Sequence, residues 1–315
     1  MYHPIENYGI IGNRRSCVLV SLEGSIDWAP APYMDSPSVF AALLDDEKGG
    51  YWSIKPTEDF TSEQVYIENT NILVTTFTTK TGVVAITDYI PLERERYYIP
   101  REEDTTFKIK RRIAGISGQV ALEMVFMPRF DYARELTQLT HLDQGIRCEL
   151  DSHQGVLVTR RECVIDEVKQ VARADLLIQA GELEYLVFRY NVGSVDLLKH
   201  NNEHHEEEFH KTIGFHQHWA GTCEVGDCEV PERWHEQIMR SKLVLKNLFF
   251  EPMGTIAAAP TTSLPEWIGG VRNWDYRFTW MRDSSFLLNA FFKLGHITEA
   301  QNYVNWIVNV CSLST

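Results

Sequence analysis

The sequence predicts an α+β chain of several domains: a large N-terminal β-sandwich, a polar helical linker and a helical C-terminal part. Three observations carry that prediction. Segments rich in β-branched and aromatic residues recur between turn signals up to residue 200. A run of His and Glu with almost no apolar residues follows. Past residue 230 the apolar spacing changes to 3.6 residues. The expected boundaries are 1–200, 201–229 and 230–315.

In the first part, Ile72 to Thr79, Val83 to Pro91, Phe107 to Ala114, Val120 to Pro128, Gly155 to Arg160 and Tyr185 to Tyr190 read as separate strands. Ile72-Leu73-Val74-Thr75-Thr76-Phe77 mixes alternation with a continuous apolar run, as strands between packed sheets do. Lys80-Thr81-Gly82 reads as a hairpin turn. Ala41-Ala42-Leu43-Leu44 reads as a short helical turn.

The bridge from His200 to His210 holds four His and four Glu. Glu207 and His210 have the i, i+3 spacing of helix-borne metal sites, but no second such helix is visible and Glu208 stands where a His-Glu-x-x-His motif needs His. A solvated inter-domain helix is the expectation, with no metal.

The helical part opens at Pro231-Glu232. Trp234, Ile238, Leu245, Leu248 and Phe249 share one face, and Pro252 and Gly254 end the helix. Asp283-Ser284-Ser285 is placed to cap a second helix running through Phe286 and Phe292 to Gly295. Because that helix is apolar nearly all round, it is expected to be buried on every side. Thr298 with Gln301 opens a third, striped by Ala300, Tyr303, Val304, Ile307 and Val310. So few helices leave this part short of packing partners, and the chain is expected to be the front portion of a longer protein.

The chain has 315 residues with 30 Lys+Arg against 44 Asp+Glu, a formal charge of −14. Such an acidic chain offers no counterion-releasing face, so nucleic acid is excluded as the main partner. No apolar run is long enough to span a bilayer and no signal peptide is visible, so no membrane partner is expected. Six scattered cysteines make no disulfide framework, and a reducing cytoplasm fits them. Cys223 and Cys228 form the one close pair, read as idle or buried thiols. No Gly-x-Ser-x-Gly elbow or phosphate loop is present.

One segment has the composition of a binding site. Residues 267–283 hold three Trp, three Arg and two Asp around one Gly pair, between two helices. Pyranose C–H faces stack on aromatic rings, and an Arg–Asp pair holds vicinal hydroxyls by charge-assisted hydrogen bonds. The same residues also suit a structural role, with Asp283 as a cap, the Trp side chains as core and Arg272 or Arg282 in an ion pair. Composition alone leaves the two readings level.

The stretch Ser263-Leu264-Pro265-Glu266 through Asn273-Trp274-Asp275-Tyr276-Arg277 to Trp280-Met281-Arg282-Asp283 resembles the most recognisable motif of glycoside hydrolase family 15, in its bacterial and archaeal branch of glucoamylases, glucodextranases and trehalases. A second match is independent. Pro4-Ile5-Glu6-Asn7-Tyr8-Gly9-Ile10-Ile11-Gly12, Gly24-Ser25-Ile26-Asp27-Trp28 and Asp35-Ser36-Pro37-Ser38-Val39-Phe40 resemble the trehalase-like N-terminal domain of those proteins. The resemblance covers essentially the whole chain. It implies an N-terminal super-β-sandwich, a helical linker and the first helices of an (α/α)6 barrel.

By that resemblance Arg282 and Asp283 bind hydroxyls of the glucose at the non-reducing end, Tyr276 and Trp280 line the same subsite, and Arg272 and Asp275 have structural or supporting roles. Between Trp28 and Asp35 the chain departs from the family, reading Ala29-Pro30-Ala31-Pro32-Tyr33-Met34 in place of a Leu-Cys-Leu-Pro-Arg-Phe-like stretch. The family hydrolyses with inversion, using two Glu side chains with water between them. Both stand downstream of the motif, beyond residue 315, so no catalytic residue is assigned here. Glu266 is a local carboxylate, but the family does not use the matching position for catalysis. The resemblance therefore implies hydrolysis of terminal α-glucosidic bonds in maltooligosaccharide, α-glucan or trehalose, with no cofactor and a neutral saccharide as partner. The 315-residue chain alone is expected to be inactive. The alternative is a non-catalytic carbohydrate-binding or assembly module.

Overall fold

The structure is a computed structural model and describes residues 2–92, 107–192, 201–222 and 232–313. Cys223, Cys228, His200 and Pro231 lie outside the described residues.

Fifteen strands form two layers. They are β1 (Tyr8–Gly12), β2 (Cys17–Ser21), β3 (Ser25–Pro30), β4 (Ser38–Phe40), β5 (Tyr51–Pro56), β6 (Phe60–Tyr66), β7 (Leu73–Thr79), β8 (Gly82–Tyr89), β9 (Phe107–Met127), β10 (Gln138–Leu142), β11 (Gly145–Leu150), β12 (His153–Val158), β13 (Val164–Asp166), β14 (Val171–Gln179) and β15 (Leu183–Tyr190). One layer runs β1-β2-β3-β5-β9-β14-β13 and the other β6-β7-β8-β9-β15-β12-β11-β10, with every pair antiparallel.

Strand β9 belongs to both layers. Its first half pairs with β8 and β15, and its second half with β5 and β14. The sequence prediction of two strands here, Phe107 to Ala114 and Val120 to Pro128, is therefore corrected to one of 21 residues. Gly115-Ile116-Ser117-Gly118 looks like a turn but carries the strand from one layer to the other. Gly118 sits at φ +62°, and the β8 register skips Ile116 there, a bulge that bends the strand. The hairpin at Lys80-Thr81-Gly82 stands as expected, joining β7 to β8. Ala41 to Leu44 forms the expected turn, with the Leu44 amide donating to the Ala41 carbonyl at 2.9 Å.

The core between the layers holds Ile26, Ile54, Ile109, Ile113, Leu122, Met124 and Leu176, together with a knot of Phe40, Trp52, Phe126 and Phe188 whose ring centroids lie 5.8–6.5 Å apart. Within it is one buried charge pair. Arg111 of β9 and Asp88 of β8 are both fully buried, with Nε donating to Oδ1 at 2.8 Å. The same guanidinium donates to the carbonyls of Trp52 at 2.6 Å and Gly24 at 2.7 Å, across the sandwich.

Helix α1 (Asn202–Gly221) takes up the His- and Glu-rich run, with Asn201 capping it through the His204 amide at 2.7 Å. It is not the solvated linker expected. His205, Phe209, Thr212, His216, Trp219 and Ala220 are buried. The reason is charge complementarity. Lys108, Lys110 and Arg112 alternate along the outer face of β9 and meet Glu206 and Glu208. Arg112 pairs with Glu206 at 2.7 Å, Tyr185 donates to the same carboxylate at 2.6 Å, and Lys110 contacts His205 at 2.8 Å. Burial would raise the Glu208 carboxyl, but hydrogen bonds from His205 and Lys110 and the nearby cations hold it well below the usual range. Glu207 and His210 point to solvent, and no metal-type cluster occurs among the described residues.

A 3₁₀ turn (Glu232–Trp234) leads into α2 (His235–Leu248), followed by the short pair β16 (Phe249–Phe250) and β17 (Thr255–Ile256), then α3 (Met281–Lys293) and α4 (Ile297–Leu313). Trp234 is exposed rather than on the packed face. Asp283 is not a cap: α3 begins two residues earlier and Asp283 lies in its first turn. Nor is α3 buried all round, since Phe286 and Phe292 are 72% and 57% exposed while Phe291 packs inward. The α4 stripe is also corrected. Tyr303 is buried, but Val304 and Val310 are exposed, and the packed face carries Glu299, Tyr303, Trp306 and Ile307. A glutamate turns inward because Trp219, Lys246 and His296 meet it there.

Polar contacts fix α2 and the turn after β16 to the sandwich. Arg240 donates to the Thr70 carbonyl at 2.8 Å, Asn71 to the Leu243 carbonyl at 3.0 Å, and Arg14 pairs with Glu251 at 2.7 Å in a buried setting.

Three buried histidines in these interfaces predict acid sensitivity. Burial, aided by the cations Arg14, Arg240 and Lys246, pushes His216 down to about 3, and burial with nearby Lys242 pushes His296 down to about 4; His205 is also lowered, mainly by burial. Each binds protons in the unfolded chain at a higher pH than in the folded one. Their contribution is therefore complete above about pH 6.5 and is lost as the pH falls. At pH 5, His216 alone is expected to cost about 2 kcal/mol relative to pH 7.5. Urea unfolding across this range checks it, with His216→Asn giving a flatter profile. An unchanged profile in the variant contradicts the assignment.

Candidate functional site

The segment from Ala257 to Asp283 folds back on itself. Ala258 and Ala259 donate to the carbonyls of Phe278 and Tyr276, Ser263 to Trp274, and Glu266 to Arg272. The tip, Trp267-Ile268-Gly269-Gly270-Val271, turns through Gly269 at φ +81° and is exposed.

Arg277 anchors this hairpin to the N-terminal motif. Its guanidinium donates to both oxygens of Asp275, at 3.0 Å from Nε and 2.7 Å from Nη2. Nη1 reaches the carbonyls of Ser36 at 2.7 Å and Met34 at 3.2 Å. The side chain lies 5.9 Å from the Trp28 ring and 6.0 Å from the Tyr132 ring, and Trp28 Nε1 donates to the Pro260 carbonyl at 2.8 Å. The two motifs some 240 residues apart thus meet directly. Burial would raise the Asp275 carboxyl, but the hydrogen bonds from Arg277 hold it below its ordinary value. Asp275 holds the Arg277 guanidinium in place. Sequence reasoning gave Arg277 no role; the acid–base spacing Asp275-x-Arg277 was the available signal.

With the hairpin fixed, four predicted residues come together on its open side. The Tyr276 and Trp280 rings stack with centroids 5.7 Å apart and planes 25° from parallel. Arg282 lies over Trp280 at 5.9 Å and pairs with Asp283 at 3.2 Å. All of this is accessible, with the Arg282 side chain 74% and that of Asp283 40% exposed. Tyr276 Oη approaches Glu266 at 3.5 Å, and Glu266 also meets Arg272 at 3.6 Å. Arg272 is an exposed partner of Glu266, the carboxylate that Tyr276 also approaches. Beside the anchor, a cavity of about 110 Å³ is lined by Met34, Asp35, Phe250, Arg277 and Thr279. The departing stretch Ala29–Met34 thus borders the hairpin through Met34.

A family model described as trehalase-like, N-terminal, matches residues 1–217, and one described as glycosyl hydrolases family 15 matches residues 232–313. The chain belongs to the trehalase-like N-terminal family, and its residues 232–313 are similar to glycosyl hydrolases of family 15. It is 32% identical to the trehalase of Thermoplasma volcanium over 96% of this chain and 47% of that protein. It is likewise 32% identical to the trehalase of Thermoplasma acidophilum, over 94% and 49%, and 31% identical to that of Mycolicibacterium smegmatis, over 98% and 48%. The chain spans about half the length of the curated relatives it matches. No helix among the described residues is long and apolar enough to cross a membrane.

Proposed function

We propose that this chain carries the substrate-holding portion of an inverting hydrolase of terminal α-glucosidic bonds. Trehalose is the first substrate to test, because the relatives above are named trehalases; maltooligosaccharides are the second. The carrying observation is the stacked Tyr276–Trp280 pair beside Arg282 and Asp283 in the segment that matches family 15. An exposed aromatic face takes the apolar side of a glucose ring. The Asp283 carboxylate accepts from one hydroxyl and the Arg282 guanidinium donates to its neighbour, so the pair fixes ring orientation. In this reading residues 1–200 are the sandwich domain, 201–229 the linker and 230–315 the start of the catalytic domain. The acid and base carboxylates stand outside residues 1–315, and no cofactor takes part.

Asp283→Ala is expected to weaken trehalose binding to the 315-residue chain by about 1.5–3 kcal/mol, at least ten-fold in Kd, by calorimetry. Unchanged affinity contradicts the subsite. Glucose release by the 315-residue chain from trehalose or maltotriose is expected to be nil. Turnover contradicts the placement of the acid and base.

A further inference from the structure

The outer face of the β1–β2–β3–β5 layer carries a second polar cavity, of about 260 Å³, on the sandwich rather than the hairpin. Its lining includes Tyr8, Tyr51, Ser53, Lys55 and Arg173, together with the carboxylates Glu23, Asp27, Asp46 and Glu123. Tyr8 and Asp27 come from the two N-terminal motifs, and the hairpin's chemistry makes no use of them. Asp27 forms part of the floor and is held by two hydroxyls, Tyr8 at 2.8 Å and Ser25 at 2.5 Å. Tyr8 is kept protonated by burial and by that carboxylate, which leaves its oxygen free to accept.

Strand β5 makes the feature a built one. Its alternate residues Tyr51, Ser53 and Lys55 all face this cavity. None of the three side chains makes a hydrogen bond or ion pair among the described residues. Ser53 is only 6% exposed as a residue, and its hydroxyl opens onto the cavity. On the rim, Arg173 pairs with Glu123 at 3.0 Å.

We propose that this cavity is a binding site for a neutral saccharide, separate from the hairpin. Its lining alternates donors and acceptors over an area suited to one or two sugar rings and offers tyrosine rings for stacking. Asp27 and Glu123 disfavour an anion. A compact cation needs convergent free carboxylates, whereas the four carboxylates of the lining are each engaged: Asp27 by Tyr8 and Ser25, Glu123 by Arg173, Glu23 by His3 at 3.9 Å, and Asp46 by a contact of its own.

The test uses the 315-residue chain carrying Trp280→Ala and Asp283→Ala, which disables the hairpin subsite. Backbone amide shifts are followed by NMR with trehalose, maltotriose, spermidine and inorganic phosphate as separate probes. A saccharide is expected to shift the amides of Tyr51, Ser53 and Lys55 with a Kd on the order of 1 mM. Tyr51→Ala and, as a variant with little packing to lose, Lys55→Ala are each expected to weaken it roughly ten-fold. Shifts there with spermidine or phosphate but no saccharide overturn the proposal, as does silence with all four. Shifts confined to residues 272–283 in the unmutated chain overturn it too, and leave the function proposed above standing.

Discussion

Replacing Arg111 with methionine is expected to cost about 3–5 kcal/mol of stability, because it leaves the fully buried Asp88 carboxyl without its cationic partner. It also takes the guanidinium donor from the Trp52 carbonyl, a further penalty of about 1 kcal/mol or more, while the Gly24 carbonyl keeps the Ile54 amide at 3.1 Å. Urea unfolding by far-ultraviolet circular dichroism measures the loss. The double variant Arg111→Met with Asp88→Leu separates charge from shape. If the charge left behind dominates, the double variant recovers most of the loss. A single variant within about 1 kcal/mol of the parent contradicts the role given to the pair.

Glu299→Leu is expected to have a comparable effect in a different place. Glu299 is 2% exposed and accepts from Trp219 Nε1 at 2.7 Å while paired with Lys246. Trp219 stacks on His296 at 4.1 Å, and the Lys246 ammonium lies 4.8 Å from the Trp219 ring centroid. One carboxylate thus joins α1, α2 and α4. Removing it leaves the buried ammonium without its carboxylate, at a cost of about 3–5 kcal/mol. Limited proteolysis localises the damage: cleavage within α4 is expected to accelerate well before cleavage within the sandwich. Equal acceleration in both contradicts a local joint, and Lys246→Met with Glu299→Leu is expected to restore protection.

Local signals identified much of this fold. Lys80-Thr81-Gly82 marked a hairpin because turn chemistry is short-range. The strands around Ile72, Val83 and Tyr185 showed themselves by composition. What failed was information held by distant partners. Gly115 to Gly118 reads as a turn until β8 is seen to pair along it, through a bulge, and carry the strand on. Helix α1 reads as solvated until the Lys108-Lys110-Arg112 alternation is set against Glu206 and Glu208; both halves of that complementarity were present some 95 residues apart. In α4 the apolar count favoured Val304 and Val310, but the buried pairing of Glu299 set the inward face. At the candidate site, Tyr276, Trp280, Arg282 and Asp283 were named from the motif and do stand together. The Asp275-x-Arg277 spacing signals the local ion pair, but the reach of Arg277 to the N-terminal motif runs through the Met34 and Ser36 backbone carbonyls, which no side-chain pattern announces.

The crossing of β9 from one layer to the other bears on how the sandwich assembles. Neither sheet has a middle until residues 107–127 are in place, because each half of that strand is the centre of its own layer. Its partners come from sequence positions as far apart as Tyr51 and Tyr190. The search for those pairings is therefore long-range and shared, and the two layers form as one cooperative unit at the slow rates of high contact order. Refolding is expected to show both layers gaining amide protection together. A nick between Gly115 and Gly118 is expected to remove both, since it divides the strand that each of them needs.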